Sequence, residues 1–239
     1  MKNVYGDFSR YYDMLGWNLF AGICAERLKE FFKLRGEKPE TALNLACGTG
    51  ELEKLLRKTG IEFTGVDASP GMLREARKKC PEARFVKADA ADVRLNRKFD
   101  MVLFLFDSAN HMYSLPHLSR VFKNSRRHLK KGGYFIFDIN TPIGLKAWEE
   151  TQVRRARNFT VITMGIYNEE EMMAEVIIEA FIKEGRSYRR MVQLLTEKTY
   201  ETQDIIEALV KAKLDKIVIT SFDPSEEIED AGRLWFVCS

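Results

Sequence analysis

Apolar positions along the chain fall into blocks of strand length that alternate with stretches of helical period. Residues 43–47 form a short apolar run that breaks at Gly48-Thr49-Gly50. Leu52, Leu55 and Leu56 then recur at helical spacing, so strand, glycine turn and helix open a βαβ unit. A second run, 61–66, ends on Asp67, and Ser69 with Pro70 supplies the N-cap and first position of the next helix. Residues 83–87 read as a third strand. Residues 99–106 are the most apolar run and predict a central strand covered on both faces. A helix follows over about 115–130, with Lys130-Lys131-Gly132-Gly133 as its stop signal, and residues 134–140 give a fifth strand.

Beyond residue 143 the pattern changes. Residues 159–167, 172–182 and 187–200 read as strands punctuated by Asn168-Glu169-Glu170-Glu171 and Lys183-Glu184-Gly185-Arg186, which predicts a three-stranded antiparallel insertion. A helix over 202–213 and strands over 216–221 and 233–238 then complete the first sheet. Ahead of it, residues 17–34 carry Phe20, Ile23, Cys24, Arg27, Leu28, Phe31 and Phe32 mostly on one stripe, a covering helix. The expected fold is α/β, a doubly wound, mostly parallel seven-stranded sheet with the antiparallel insertion. Its expected parts are a covering arm and helix (1–38), a ligand-binding core (39–142), the insertion (143–200) and a C-terminal completion of the sheet (201–239).

Charge and cysteine usage narrow the partners. A net charge of +3, spread over 239 residues, gives no footprint for nucleic acid. Cys24, Cys47, Cys80 and Cys238 form no C-x-x-C pair, and none of the three histidines shares a metal-ligand spacing with a cysteine. A reducing, cytoplasmic location without a bound metal is expected. The first residues lack an apolar h-region and no uncharged stretch reaches membrane-spanning length, so neither secretion nor a membrane partner is expected.

Glycines at 48 and 50 let the backbone turn sharply and approach a ligand closely. A carboxylate at the tip of the second strand, Asp67, can accept two hydrogen bonds from a ribose diol. Together they indicate an adenosine-type ligand. The third glycine of a dinucleotide fingerprint is replaced by Glu53, whose charge opposes a pyrophosphate, so a nicotinamide oxidoreductase is the weaker alternative.

Residues 43–50, together with Leu129-Lys130-Lys131-Gly132-Gly133-Tyr134-Phe135-Ile136-Phe137-Asp138, resemble the class I S-adenosylmethionine (AdoMet) methyltransferases over most of residues 40–141. The insertion before the last strands resembles that of small-molecule enzymes in this class, including aminosugar N-methyltransferases. The chain departs from the family motif twice: Asn44 stands where an acid is usual, and Ala46 replaces the first glycine. The resemblance implies a Rossmann-like fold, AdoMet as cofactor and a small-molecule methyl acceptor. It implies cofactor contacts from Asn44, Ala46, Cys47, Gly48, Gly50, Asp67, Ala68 and Phe106. Met72 would pack on adenine, and Asp89 and Ala90 would stand beside the adenine amino group. The segment from Tyr5 to Asp13 resembles the family's "Phe-Ala-x-x-Tyr-Asp" opening, so Tyr11 or Tyr12 would offer a ring to the sulfonium.

The central strand runs into a sudden polar cluster, Asp107-Ser108-Ala109-Asn110-His111-Met112-Tyr113. Ligands of open α/β sheets bind outside the carboxyl ends of the strands, so an acceptor would meet the methyl group here. His111 is the candidate base, because imidazole titrates near neutral pH. Asp107 would orient it or attract an amine, and Asn110 and Tyr113 are candidate acceptor contacts. Displacement from a sulfonium needs alignment above all, which can account for about 7–11 kcal/mol of barrier. No Asn/Asp-Pro-Pro-aromatic tetrapeptide follows the strand, which argues against nucleobase and amide targets. The insertion is expected to cover the acceptor or to form a homodimer contact. Asn44 keeps open a further alternative, an AdoMet-binding protein without turnover.

Overall fold

The structure, a computed structural model, describes residues 6–239, so Tyr5 lies outside the described residues. Among these, eleven strands form two sheets. The large sheet combines β1 (Thr41–Leu45), β2 (Glu62–Asp67), β3 (Arg84–Lys87), β4 (Phe99–Phe104), β5 (Leu129–Asn140), β10 (Ile217–Ser221) and β11 (Arg233–Cys238) in the order β10-β11-β5-β4-β1-β2-β3. The pairs among β3, β2, β1, β4 and β5 are parallel, and β11 runs antiparallel to both neighbours. Strand order therefore reverses between β1 and β4, where such sheets open a ligand crevice.

Alternation along β4 sends Val102 and Phe104 to one face and Met101 and Leu103 to the other, and an irregularity in register between Phe99 and Met101 returns Phe99 to the first face, all at most 1% exposed. The first face meets α4 (Leu115–His128) through Phe122, Phe135, Phe137 and Phe236, and Phe137 stacks on Phe236 at 4.5 Å. The second meets α1 (Phe20–Arg35) and α2 (Glu51–Leu56) through Cys24, Leu28, Leu52 and Leu56. Burying each of these large side chains contributes about 1.5–3 kcal/mol. The covering of both faces explains why β4 reads as one apolar run. A third helix, α3 (Pro70–Lys79), starts as expected, with Ser69 Oγ accepting the Met72 N–H.

Two expectations are corrected. The insertion is a four-stranded antiparallel sheet, β6 (Gln152–Arg155), β7 (Phe159–Asn168), β8 (Met173–Glu184) and β9 (Ser187–Lys198). All four residues of β6 are exposed, so this edge strand carries no alternation to read. The stop signal at Lys130 to Gly133 also does not cap α4. The helix ends at His128, Leu129 is already extended, and the lysine is an early residue of β5 whose Nζ pairs with Asp100 at 2.9 Å. Two short helices, α5 (Pro142–Lys146) and α6 (Thr202–Lys211), flank the insertion.

Candidate active site

The loop after β1 is built from left-handed residues, with φ of 55° at Ala46, 55° at Gly48 and 72° at Gly50. Gly50 is required as glycine twice over, because a Cβ there would also stand 3.1 Å from Ala76 Cβ. The loop's Gly48 N–H donates to Asp67 Oδ2 at 2.9 Å, and the Ser69 N–H donates to Oδ1 at 2.7 Å. Burial raises the Asp67 carboxyl, and these two bonds work against that rise. They fix the carboxylate at the crevice, where Ala46, Cys47, Gly48, Thr49 and Met72 share its cavity.

The N-terminal segment closes this cavity. Tyr12, Trp17, Asn18 and Ala21 line it, and the segment is latched to the glycine loop by Thr49 Oγ1 donating to Asp13 Oδ1 at 2.7 Å. Lys79 adds ion pairs to Asp13 and Glu51, each at 2.6 Å. Burial pushes the Glu51 carboxyl up, but hydrogen bonds from Lys79, Lys54 and Asn18 outweigh it and bring it down to about 2. The Trp17 Nε1 and Asn18 Oδ1 atoms are buried and have no hydrogen-bond partner among the described residues.

A second cavity abuts the first beneath the antiparallel sheet. Tyr12, Trp17, Phe106 and His111 belong to both walls, while Asp107, Trp148, Val176, Leu195 and Glu197 belong to the second alone. Phe106 and Asp107 are held in left-handed conformations, φ 62° and 58°, which is costly for a phenylalanine. Asp138 holds the bend by accepting the Phe106 N–H at 2.8 Å, and Arg233 clamps both Asp138 and Asp107. The Thr196 carbonyl lies 3.1 Å from His111 Nδ1. A carbonyl only accepts, so Nδ1 carries the hydrogen and Nε2 is the acceptor nitrogen of the neutral ring. Burial lowers the His111 pKa against the opposing pull of Asp107, so the ring is neutral at pH 7.

Of the sequence-predicted residues, Tyr12, Ala46, Cys47, Gly48, Asp67, Met72, Phe106, Asp107 and His111 come together around these cavities. Others do not line them. Tyr11 donates its hydroxyl to Glu184 at 3.1 Å, Gly50 packs on α3, Ala68 is exposed and Tyr113 is 47% exposed. Asp89 accepts the Ala91 N–H, and Ala90 is buried in the core. Asn110 is fully buried: Nδ2 donates to the Asn140 and Lys198 carbonyls and Oδ1 accepts the Asn140 N–H, which ties the insertion to the core. Asn44 donates to Glu53 Oε1 at 2.9 Å beneath the loop. Sequence reasoning missed Trp17, Glu197 and Arg233. Glu197 had a signal, since it continues the inward register of Met191, Gln193 and Leu195 along β9.

A family described as Methyltransferase domain matches residues 42–133. A Bacillus subtilis chain provisionally named as a methyltransferase, YqeM, is 25% identical over 201 residues, 81% of each chain. The dTDP-3-amino-3,4,6-trideoxy-alpha-D-glucopyranose N,N-dimethyltransferase of Streptomyces venezuelae is 30% identical over 48% of each chain. An S-adenosylmethionine-dependent methyltransferase from Clostridium acetobutylicum superposes with a TM-score of 0.82 at 24% identity, covering 98% of this chain and 97% of the other. Fold, glycine loop, strand-tip carboxylate and these likenesses agree: the chain carries a methyltransferase domain over residues 42–133 and has the fold of S-adenosylmethionine-dependent methyltransferases.

Proposed function

We propose that the protein methylates a small molecule held in the cavity beneath the antiparallel sheet, chiefly by aligning it with the donor. One observation carries this reading: the two cavities share the wall made by Tyr12, Trp17, Phe106 and His111. A ligand in one cavity would meet a ligand in the other across that wall.

The residues lining the first cavity suit AdoMet. Asp67 would take the ribose diol, Met72 the adenine and the Tyr12 ring the sulfonium. The methionine end carries a carboxylate and an ammonium, which need a donor and an acceptor, and Trp17 Nε1 and Asn18 Oδ1 are the unmatched pair in that wall. When bound, AdoMet supplies an electrophilic methyl group on a good neutral leaving group. The chain's residues exclude water and align the acceptor. The Phe106–Asp107 bend, fixed by Asp138 and Arg233, aims Phe106 and His111 at the junction. His111 Nε2 accepts a hydrogen bond from the attacking group and orients it.

The test is transfer of a labelled methyl group from AdoMet to a panel of small metabolites, with His111→Gln alongside. Transfer to at least one small molecule is expected, with His111→Gln at least ~10-fold slower and donor affinity unchanged. Donor binding without transfer to any panel member would overturn the reading, and full turnover by the variant would remove His111 from it.

A further inference from the structure

The acceptor side of the junction carries more negative charge than its own cations balance. Asp107, Asp138 and Glu197 face one guanidinium, and Arg233 directs Nη2 to Asp107 at 2.5 Å and Nη1 to Asp138. Glu197 forms no ion pair among the described residues. Its Oε2 accepts from Asn140 Nδ2 at 2.9 Å, and the same nitrogen donates to Asp107 at 3.0 Å. Glu197 is 3% exposed, and a carboxylate so buried is costly to ionise without a cation. Burial first, and then the Asp107 charge, push its carboxyl well above the usual range.

Aromatic rings make up much of the rest of that cavity, beside the aliphatic Val176, Ile178 and Leu195. Trp17, Trp148, Tyr12 and Phe106 line it, and Trp17 stacks on Trp148 at 6.3 Å. Ring faces beside an unbalanced carboxylate are the chemistry that recognises a cation. An anionic acceptor would meet Asp107 as a like charge and keep Glu197 protonated, and a neutral alcohol would give Glu197 no charge to pair with.

Building on the methyl-transfer reading above, we infer that the acceptor is a primary or secondary amine, and that Glu197 binds its ammonium form and takes the proton that blocks the nitrogen. The proton moves from nitrogen to a Glu197 carboxylate oxygen, and the N–H electron pair stays on nitrogen as a lone pair. That pair forms the N–C bond to the methyl group while the donor's C–S bond breaks, its electrons remaining on sulfur. Nitrogen carries the positive charge of the product ammonium, and sulfur leaves neutral. His111 aligns the nitrogen, and Asn140 holds Glu197 in place.

Isothermal calorimetry on the full chain saturated with S-adenosylhomocysteine, the demethylated donor, tests this. The probes are cyclohexylamine, tyramine and glucosamine, each against its hydroxyl counterpart cyclohexanol, tyrosol or glucose. At least one amine is expected to bind at least ~10-fold tighter than its counterpart. At pH 7 its binding should release close to one proton, read from buffers of different ionisation heat, because a protonated Glu197 becomes ionised on pairing. The groups facing Glu197 are Asp107, Asp138, Arg233, Tyr12, Tyr113 and His111. Glu197→Gln, which keeps the shape and an acceptor for Asn140, identifies the group that releases the proton. That variant should lose the amine preference and the proton release while binding S-adenosylhomocysteine like the wild type. Glu197→Asp, which keeps the charge, should recover part of the preference. Equal binding of amines and hydroxyl compounds, or an undiminished preference in Glu197→Gln, overturns the proposal and leaves the methyl-transfer reading standing. Failure of S-adenosylhomocysteine to bind the wild type overturns both.

Discussion

Glu53 lies in the first turn of α2, 2% exposed, with the neutral Asn44 amide as its hydrogen-bond partner. Burial pushes its carboxyl up to about 7 against the help of Asn44. Because the folded form holds a proton that the unfolded chain has already released, this group's contribution to stability is complete below about pH 4.5 and is lost as pH rises through 7. Glu53→Gln should therefore match the wild type near pH 4.5 and exceed it by about 1–3 kcal/mol at pH 8, measured by urea unfolding. An equal gain at both values, or a loss at pH 8, would contradict this account. Asn44 and Glu53 were each visible in the sequence as a departure from an expected pattern. Their pairing was not, because it exists only once the helix closes over the end of β1. Ala46 was more legible. It stands where a glycine is usual, and its φ of 55° is the left-handed conformation a glycine would adopt at about 1–2 kcal/mol less strain.

At the scale of elements, the bend after β4 depends on a residue more than a hundred positions away. Arg233, the first residue of β11, is the cation that balances Asp107 and the fully buried Asp138. Removing one partner of such a group leaves uncompensated buried charge, which costs about 3–5 kcal/mol. Arg233→Met should be destabilised by that amount in chemical denaturation, with Arg233→Lys recovering part of it. A loss below ~1 kcal/mol would mean that the guanidinium is not what holds Phe106 and Asp107 in place. Distance in sequence explains why this clamp could not be read beforehand. The core strands could be read, because burial on both faces writes an apolar run directly into the chain. The edge strand β6 could not, since its Gln-Val-Arg-Arg residues all face solvent. The Lys130 signal misled for a related reason: lysine and glycine suit a helix end, but Lys130 is recruited by Asp100 across the sheet.

At the scale of the molecule, the bend after β4 is joined in walling the two cavities by stretches of chain that lie far from it in sequence. The N-terminal segment contributes Tyr12 and Trp17, the glycine loop Ala46 to Thr49, and the antiparallel sheet Val176, Leu195 and Glu197. Asn110 and Asn140 stitch the last of these to the core, and Thr49 with Asp13 latches the first. A donor bound at the crevice would touch the segment and the loop together, and so would bind the folded arrangement and not the unfolded chain. At a hundredfold excess over its dissociation constant such a ligand adds about 2.7 kcal/mol of stability. For a chain of this length each kcal/mol moves the melting temperature by about 2–4 °C, so saturation with S-adenosylhomocysteine should raise it by about 5–10 °C. NADH should leave it unmoved, because Glu53 replaces the third glycine of a dinucleotide fingerprint and lies beneath the loop that a pyrophosphate would approach. A differential scanning fluorimetry series with both ligands separates the cases: a shift with NADH and none with S-adenosylhomocysteine would show that the crevice receives a diphosphate and not a sulfonium donor.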